Sequence, residues 1–224
     1  MNRRERAGSG PYGPHYGLER EREDLAAVQR ATGALGVFGH SYGGLIVLES
    51  LAHGDTPLAA ASVYEPGVSI TGSIPTAWIP RYRRFLAERS PYAAFAHFIG
   101  SSPQAPASAR GAPQWYLRTV LRLMPGFKER IEPYLEGNAV EHEVIAHHDG
   151  GSRRLRTHQS TGAAAGRLQE PRVRTPDRSG PDGVIPTSRV EVLGGLEQRA
   201  PLAKHPRQLA EAITAWLIPE TMAR

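Results

Sequence analysis

The chain has 224 residues, enough for one domain with a sizeable core, and its lack of cysteine excludes disulfides and thiolate metal sites. The formal net charge is +5, but residues 151–183 alone hold seven arginines against three acids, so the basic excess is local and does not point to nucleic acid as a partner. No run approaches the roughly 18 apolar residues of a membrane span, and no apolar segment follows the basic start MNRRERAGSG as in a secretory signal. The default expectation is a cytoplasmic protein without a membrane partner.

Residues 1–17, rich in Gly, Arg, Pro and Tyr, read as loop. LEREREDLAAVQRATG (18–33) predicts a helix closed by Gly33. ALGVF (34–38) predicts a short apolar strand, SYGGLIVLESLAHG (41–54) a helix closed by Gly54, and LAAASVYEP (58–66) a second strand stopped at Pro66. Helix, strand, helix and strand with short joints predict a parallel α/β sheet.

Residues 67–149 carry ten of the sixteen aromatics, with prolines at 75, 80, 91, 113, 125 and 133 punctuating short helices. Tyr82, Phe85 and Leu86 share one helical face; Leu117, Val120, Leu121 and Met124 share another. This predicts a helical insertion over the end of the sheet, its aromatics mostly serving as core. Residues 151–183 have only Leu155, Leu168 and Val173 as large apolar side chains, and no aromatic, Ile or Met. Burial there does not offset the entropy of ordering, which predicts disorder. TSRVEVL (187–193) alternates like a strand, and HPRQLAEAITAWLI (205–218) predicts a helix with Leu209, Ala212, Ile213 and Trp216 on one face.

Gly39-His40-Ser41-Tyr42-Gly43 matches G-x-S-x-G between a predicted strand and a predicted helix. A serine at such a turn is forced into strained backbone geometry, and small flanking residues let the turn close. The hydroxyl then projects from the sheet end above a helix N-terminus suited to a developing oxyanion. Ser41 is therefore the candidate nucleophile, with His40 packing beside it.

With this elbow, the chain resembles the α/β-hydrolases, specifically the single-domain bacterial type with a helical cap. NRRERAGSG resembles that family's D-R-R-G-R-G-x-S segment, VFGHSYGG its elbow, and SVYEPG the strand after it. RVEVLGGLEQRAP followed by HPRQLAEAI resembles its last strand, histidine loop and last helix. The resemblance implies a hydrolase core at 1–66, a cap at 67–149 and the end of the core at 187–224. It further implies a serine, an acid and a histidine, with two backbone oxyanion donors. Tyr42 would supply one donor through its N–H. The loop bearing the other would lie upstream of Met1, so the chain is expected to be N-terminally truncated. The acid candidate is Glu65, at the end of the strand after the elbow. The family's G-x-x-H-x-A-P reads Gly195-Leu196-Glu197-Gln198-Arg199-Ala200-Pro201, so Gln198 holds the histidine place. An amide has no useful basicity near neutral pH. His205, seven residues on, is expected to cap or pack, and would act as a base only if the loop refolded.

The resemblance implies an ester- or acyl-type hydrolase acting on a small molecule; Gln198 favours the alternative, a catalytically inactive homologue or degenerate gene product. No cofactor or metal is expected. In EHEVIAHHD (141–149), His142 and His147 are five apart, about 140° around a helix, unlike the ligands of H-E-x-x-H.

Residues 158–171, HQSTGAAAGRLQEP, stand where the family has an apolar strand. Written in GC-rich codons and read one base later, they give ISPPVLLLAGSKSP. The segment 150–186 is therefore expected to be disordered or translated out of frame, a hypothesis that the gene's nucleotide sequence decides. The expected sheet then has an exposed apolar edge at the elbow strand and no partner for the last strand, hence a marginal monomer.

Overall fold

The computed structural model describes residues 1–149 apart from positions 7, 56, 103, 104 and 106, together with Gly162–Gly166, Ser188–Val192 and Pro206–Leu217. Its elements run α1 (Leu18–Thr32), β1 (Gly36–His40), α2 (Tyr42–His53), β2 (Ala60–Tyr64), α3 (Ile79–Ala87), α4 (Pro91–Ser101), α5 (Ala107–Arg110), α6 (Gln114–Leu123), α7 (Phe127–Arg130), a 3₁₀ turn (Glu132–Tyr134), α8 (Leu135–His147), β3 (Gly162–Gly166), β4 (Ser188–Val192) and α9 (Pro206–Leu217). The four strands form one parallel sheet in the order β1-β2-β3-β4. None of the described helices is long and apolar enough to cross a membrane.

The elements follow the predicted order, and α1 and α2 both end in left-handed glycines, Gly33 and Gly54. The strand predicted at 34–38 instead occupies Gly36–His40. The apolar run marks that a strand is present, whereas the ladder with β2, which pairs Gly36 with Ala60 and His40 with Tyr64, sets both of its ends. The helix α2 is buried along most of its length, Leu45, Ile46, Val47, Leu48 and Leu51 among its core residues. It packs on β1 and β2, as does α9. Val47, Leu48 and Leu51 form one cluster with Ala61 and Val63 from the sheet.

The segment expected to be disordered contains β3. Ala61, Ser62, Val63 and Tyr64 of β2 pair with Gly162, Ala163, Ala164 and Ala165, and β3 pairs in turn with β4. The last strand therefore has a partner, contrary to expectation. A count of large apolar residues over thirty positions misses a five-residue strand whose backbone bonds both neighbours, because ladder hydrogen bonds do not depend on side-chain size. The frame-shift reading places V-L-L-L-A on the same five positions.

Between β2 and β3 the cap is built from α3 to α8. Its core holds Trp78, Ile79, Tyr82, Leu117, Leu121, Phe127 and Leu135. Tyr82 is fully buried, and its hydroxyl donates to the carbonyl of Leu135 at 2.9 Å. The face predicted through Leu117, Val120, Leu121 and Met124 is split. Leu117 and Leu121 are buried against α4, while Val120 and Met124 face solvent with Trp115, Tyr116 and Leu123. Four positions at i, i+3, i+4 and i+7 cover a wider arc than the single neighbouring helix can bury.

Candidate active site

Ser41 stands between the last residue of β1 and the first of α2, at φ 53° and ψ −122°. That backbone conformation strains a residue with a side chain by roughly 1–3 kcal/mol. Backbone bonds hold it in place. The Ser41 N–H donates to the Tyr64 carbonyl at 3.1 Å, and its own carbonyl accepts from Gly44 at 2.8 Å, Leu45 at 3.2 Å and Gly67 at 2.8 Å. The elbow is thus tied both to the helix after it and to the chain leaving β2.

Two glycines make this crossing possible, and only one lies where the G-x-S-x-G pattern suggests. A Cβ on Gly39 would lie 2.5 Å from the Gly43 carbonyl oxygen, and one on Gly44 would lie 2.9 Å from Pro66. A Cβ on Gly43 would meet nothing within 4 Å. The tight approaches are therefore between strand end and helix start at Gly39, and between helix and β2 exit at Gly44.

Glu65 follows β2 as Ser41 follows β1. Since His40 pairs with Tyr64, the two residues leave the same end of the sheet from neighbouring strands. Glu65 is half-buried and also takes a positive φ, 43°. The two candidate side chains thus share one sheet end, each carried by a strained residue just beyond its strand. The His40 ring packs on Tyr64, with centroids 5.7 Å apart.

Tyr42 is the first helical residue, so its N–H has no partner within α2 and belongs to the positive end of the helix dipole. Its ring is 1% exposed and packs with Leu18, Leu45, Ile46 and Ile145. Burial pushes the phenol's pKa up, so it stays neutral. Gln198 and His205 lie outside the described residues.

Sequence reasoning missed the ionic network behind Tyr42. Arg3 reaches Glu141 on α8 at 2.5 Å and Glu21 on α1 at 3.5 Å, and Arg6 shares the same Glu141 oxygen at 2.6 Å. Arg4 forks onto Asp24 of α1 at 2.7 and 3.0 Å. Glu21 is fully buried, accepts from the Tyr16 hydroxyl at 2.7 Å, and has its carboxyl pKa raised chiefly by burial. The only hint in the sequence was the arginine-rich NRRER itself; its partners lie too far along the chain for any local pattern to show them.

A parallel sheet entering a G-x-S-x-G turn, with a helical cap inserted after the next strand, defines the α/β-hydrolase fold. Solved structures agree. An α/β-hydrolase from Sphaerobacter thermophilus is 25% identical at a TM-score of 0.63, over 88% of this chain and 76% of that one. An α/β-hydrolase from a Medee basin deep-sea metagenome superposes at 0.68 with 15% identity, over 96% and 77% of the two chains. A thermophilic esterase from Thermogutta terrifontis superposes at 0.66 with 17% identity, over 96% and 76%. No protein-family model matches the chain, and no curated protein matches it in sequence.

Proposed function

We propose that the chain is a serine-nucleophile hydrolase of ester or other acyl-type small molecules, with activity reduced by the residue at the base position. The observation that carries this reading is the strained Ser41 at the strand-to-helix crossing, next to the free end of α2. In this reading the Ser41 hydroxyl attacks the acyl carbonyl and the Tyr42 N–H stabilises the oxyanion. Glu65 is the acid that orients a base. Proton removal is the weak step, because Gln198 cannot accept a proton. In another hydrolase, loss of the base histidine lowers kcat on the order of 10⁶-fold. The enzyme needs no cofactor in this scheme and acts in the cytoplasm.

Gln198 also supports a second reading, a catalytically inactive homologue. Hydrolysis of p-nitrophenyl acetate separates the two. The hydrolase reading expects slow turnover abolished by Ser41→Ala and raised by orders of magnitude by Gln198→His. Turnover that is indifferent to Ser41, or none even in Gln198→His, supports the inactive homologue.

A further inference from the structure

We propose that the outer face of α6 docks on an anionic lipid surface and lays the cap against a membrane. The inner face of α6 is already occupied, since Leu117 and Leu121 are buried against α4. The outer face is not. Trp115, Tyr116, Thr119, Val120 and Leu123, with Met124 just past the helix, fall at helical spacing on one stripe. All six are exposed, Leu123 at 78% and Trp115 at 69%. Only Thr119 is polar, and its hydroxyl donates back to the Trp115 carbonyl at 2.9 Å. Single exposed apolar residues are ordinary on a protein surface, whereas a contiguous stripe of large ones marks a site that meets something other than water.

The charge around the stripe selects the occupant. Arg118 and Arg122 lie four apart along one edge of it, and α6 contains no acid. Arg110 before the helix and Lys128 and Arg130 after it bring residues 110–130 to five basic residues against one acid, Glu129. The Arg122 guanidinium carbon lies 5.8 Å from the Tyr92 ring centroid, a contact that leaves its charge in place. Trp, Tyr and Leu edged by arginines match the needs of a helix lying in a lipid interface. The aromatic rings sit at headgroup level, the aliphatic side chains reach the acyl boundary, and the long arginines extend to the phosphates. A second copy of this chain fits the stripe less well, because its α6 would add two more arginines and bring no acid to meet them. The expectation of no membrane partner rested on the lack of a spanning run, whereas surface docking needs only one exposed face. The proposal is independent of the reading of Ser41.

The test is sedimentation of the full-length protein with vesicles of phosphatidylcholine, alone or with about 30% phosphatidylglycerol, at about 0.1 M salt. The protein should pellet with the anionic vesicles, and about 1 M salt should release most of it. Leu123→Ser and Trp115→Ser should each weaken binding about tenfold, and Arg118→Gln and Arg122→Gln about fivefold each. Leu35→Ser, which removes an exposed apolar residue ahead of β1, should bind as the wild type does. Trp115 emission, isolated by difference from Trp115→Phe, should move to the blue on anionic vesicles only. The seven arginines of residues 151–183 would hold an anionic vesicle by charge alone. Binding left unchanged by Leu123→Ser and Trp115→Ser would therefore belong to them and overturn the proposal. Absence of binding, or equal affinity for neutral vesicles, would overturn it as well. A dimer in light scattering that Leu123→Ser splits, in a protein that ignores both vesicles, would give the stripe to a second copy instead.

Discussion

In the cap, Trp78, Tyr82 and Phe98 lie ring against ring, with centroids 4.8 to 6.4 Å apart, and Tyr92 stacks on Phe127 at 4.5 Å. In the sheet, the strand that joins the elbow half to the C-terminal half reads GAAAG, with nothing larger than a methyl group to bury. Cap cohesion comes from aromatic packing, whereas β3 depends on its ladders to β2 and β4. The two regions should therefore respond to different perturbations.

The largest effect is expected from Tyr82→Ala. It removes a fully buried ring and leaves the Leu135 carbonyl without its donor, at a cost of about 3–5 kcal/mol. Hydrogen exchange should show α3, α4 and α8 losing protection while β1 and β2 keep theirs. Equal loss in both regions would mean that cap and sheet melt as one unit, and the contrast would disappear.

Next comes the converse change in the sheet. Replacing Gly162–Gly166 with the shifted-frame residues (Gly162→Val, Ala163→Leu, Ala164→Leu, Ala165→Leu and Gly166→Ala) should stabilise the protein by about 3 kcal/mol in urea unfolding. No gain would mean that side-chain size in β3 does not limit the stability of the sheet. A smaller effect is expected at the junction of the two regions. Glu141→Ala removes the acid that Arg3 and Arg6 share, leaving Arg3 only Glu21, and should cost about 2 kcal/mol, less than a fully buried pair because all three side chains retain some solvent.

The smallest effect is a difference in pH response. Burial lowers the imidazole pKa of His97 and His142 in the cap, so the folded cap favours their neutral forms. The unfolded chain takes up those protons first; cap stability should hold above about pH 6.5 and fall as the pH drops below it. Burial raises the Glu21 carboxyl, so its contribution runs the other way, full below the ordinary glutamate range and lost as the pH rises through its folded value. Exchange measured at pH 7 and pH 5 should show protection falling in α3, α4 and α8 more than in α1. Parallel loss in all of them would count against the assignment.

The elbow was legible because its signal is local: a glycine pattern between an apolar strand-length run and a largely apolar helix-length run. The placement of Glu65 came with it, since the residue after β2 must sit beside the residue after β1 once the strands pair in parallel. β3 was not legible, because hydrogen bonding to two neighbours leaves no mark in the composition of GAAAG. Nor was the arginine network, whose members are separated by 138 residues in the case of Arg3 and Glu141. Trp115 and Tyr116 were expected with the core aromatics yet are exposed, because α6 has one helix to pack against and spends that face on Leu117 and Leu121.

That long separation has a consequence for the nascent chain. Glu141 is made 138 residues after Arg3. At roughly 5–20 residues per second, the arginines wait about ten seconds for their acid. Until then Arg3 and Arg6 lack their shared acid, and the link to α8 behind the elbow stays open. The tie from these arginines to the cap can thus close only after α8 has been made.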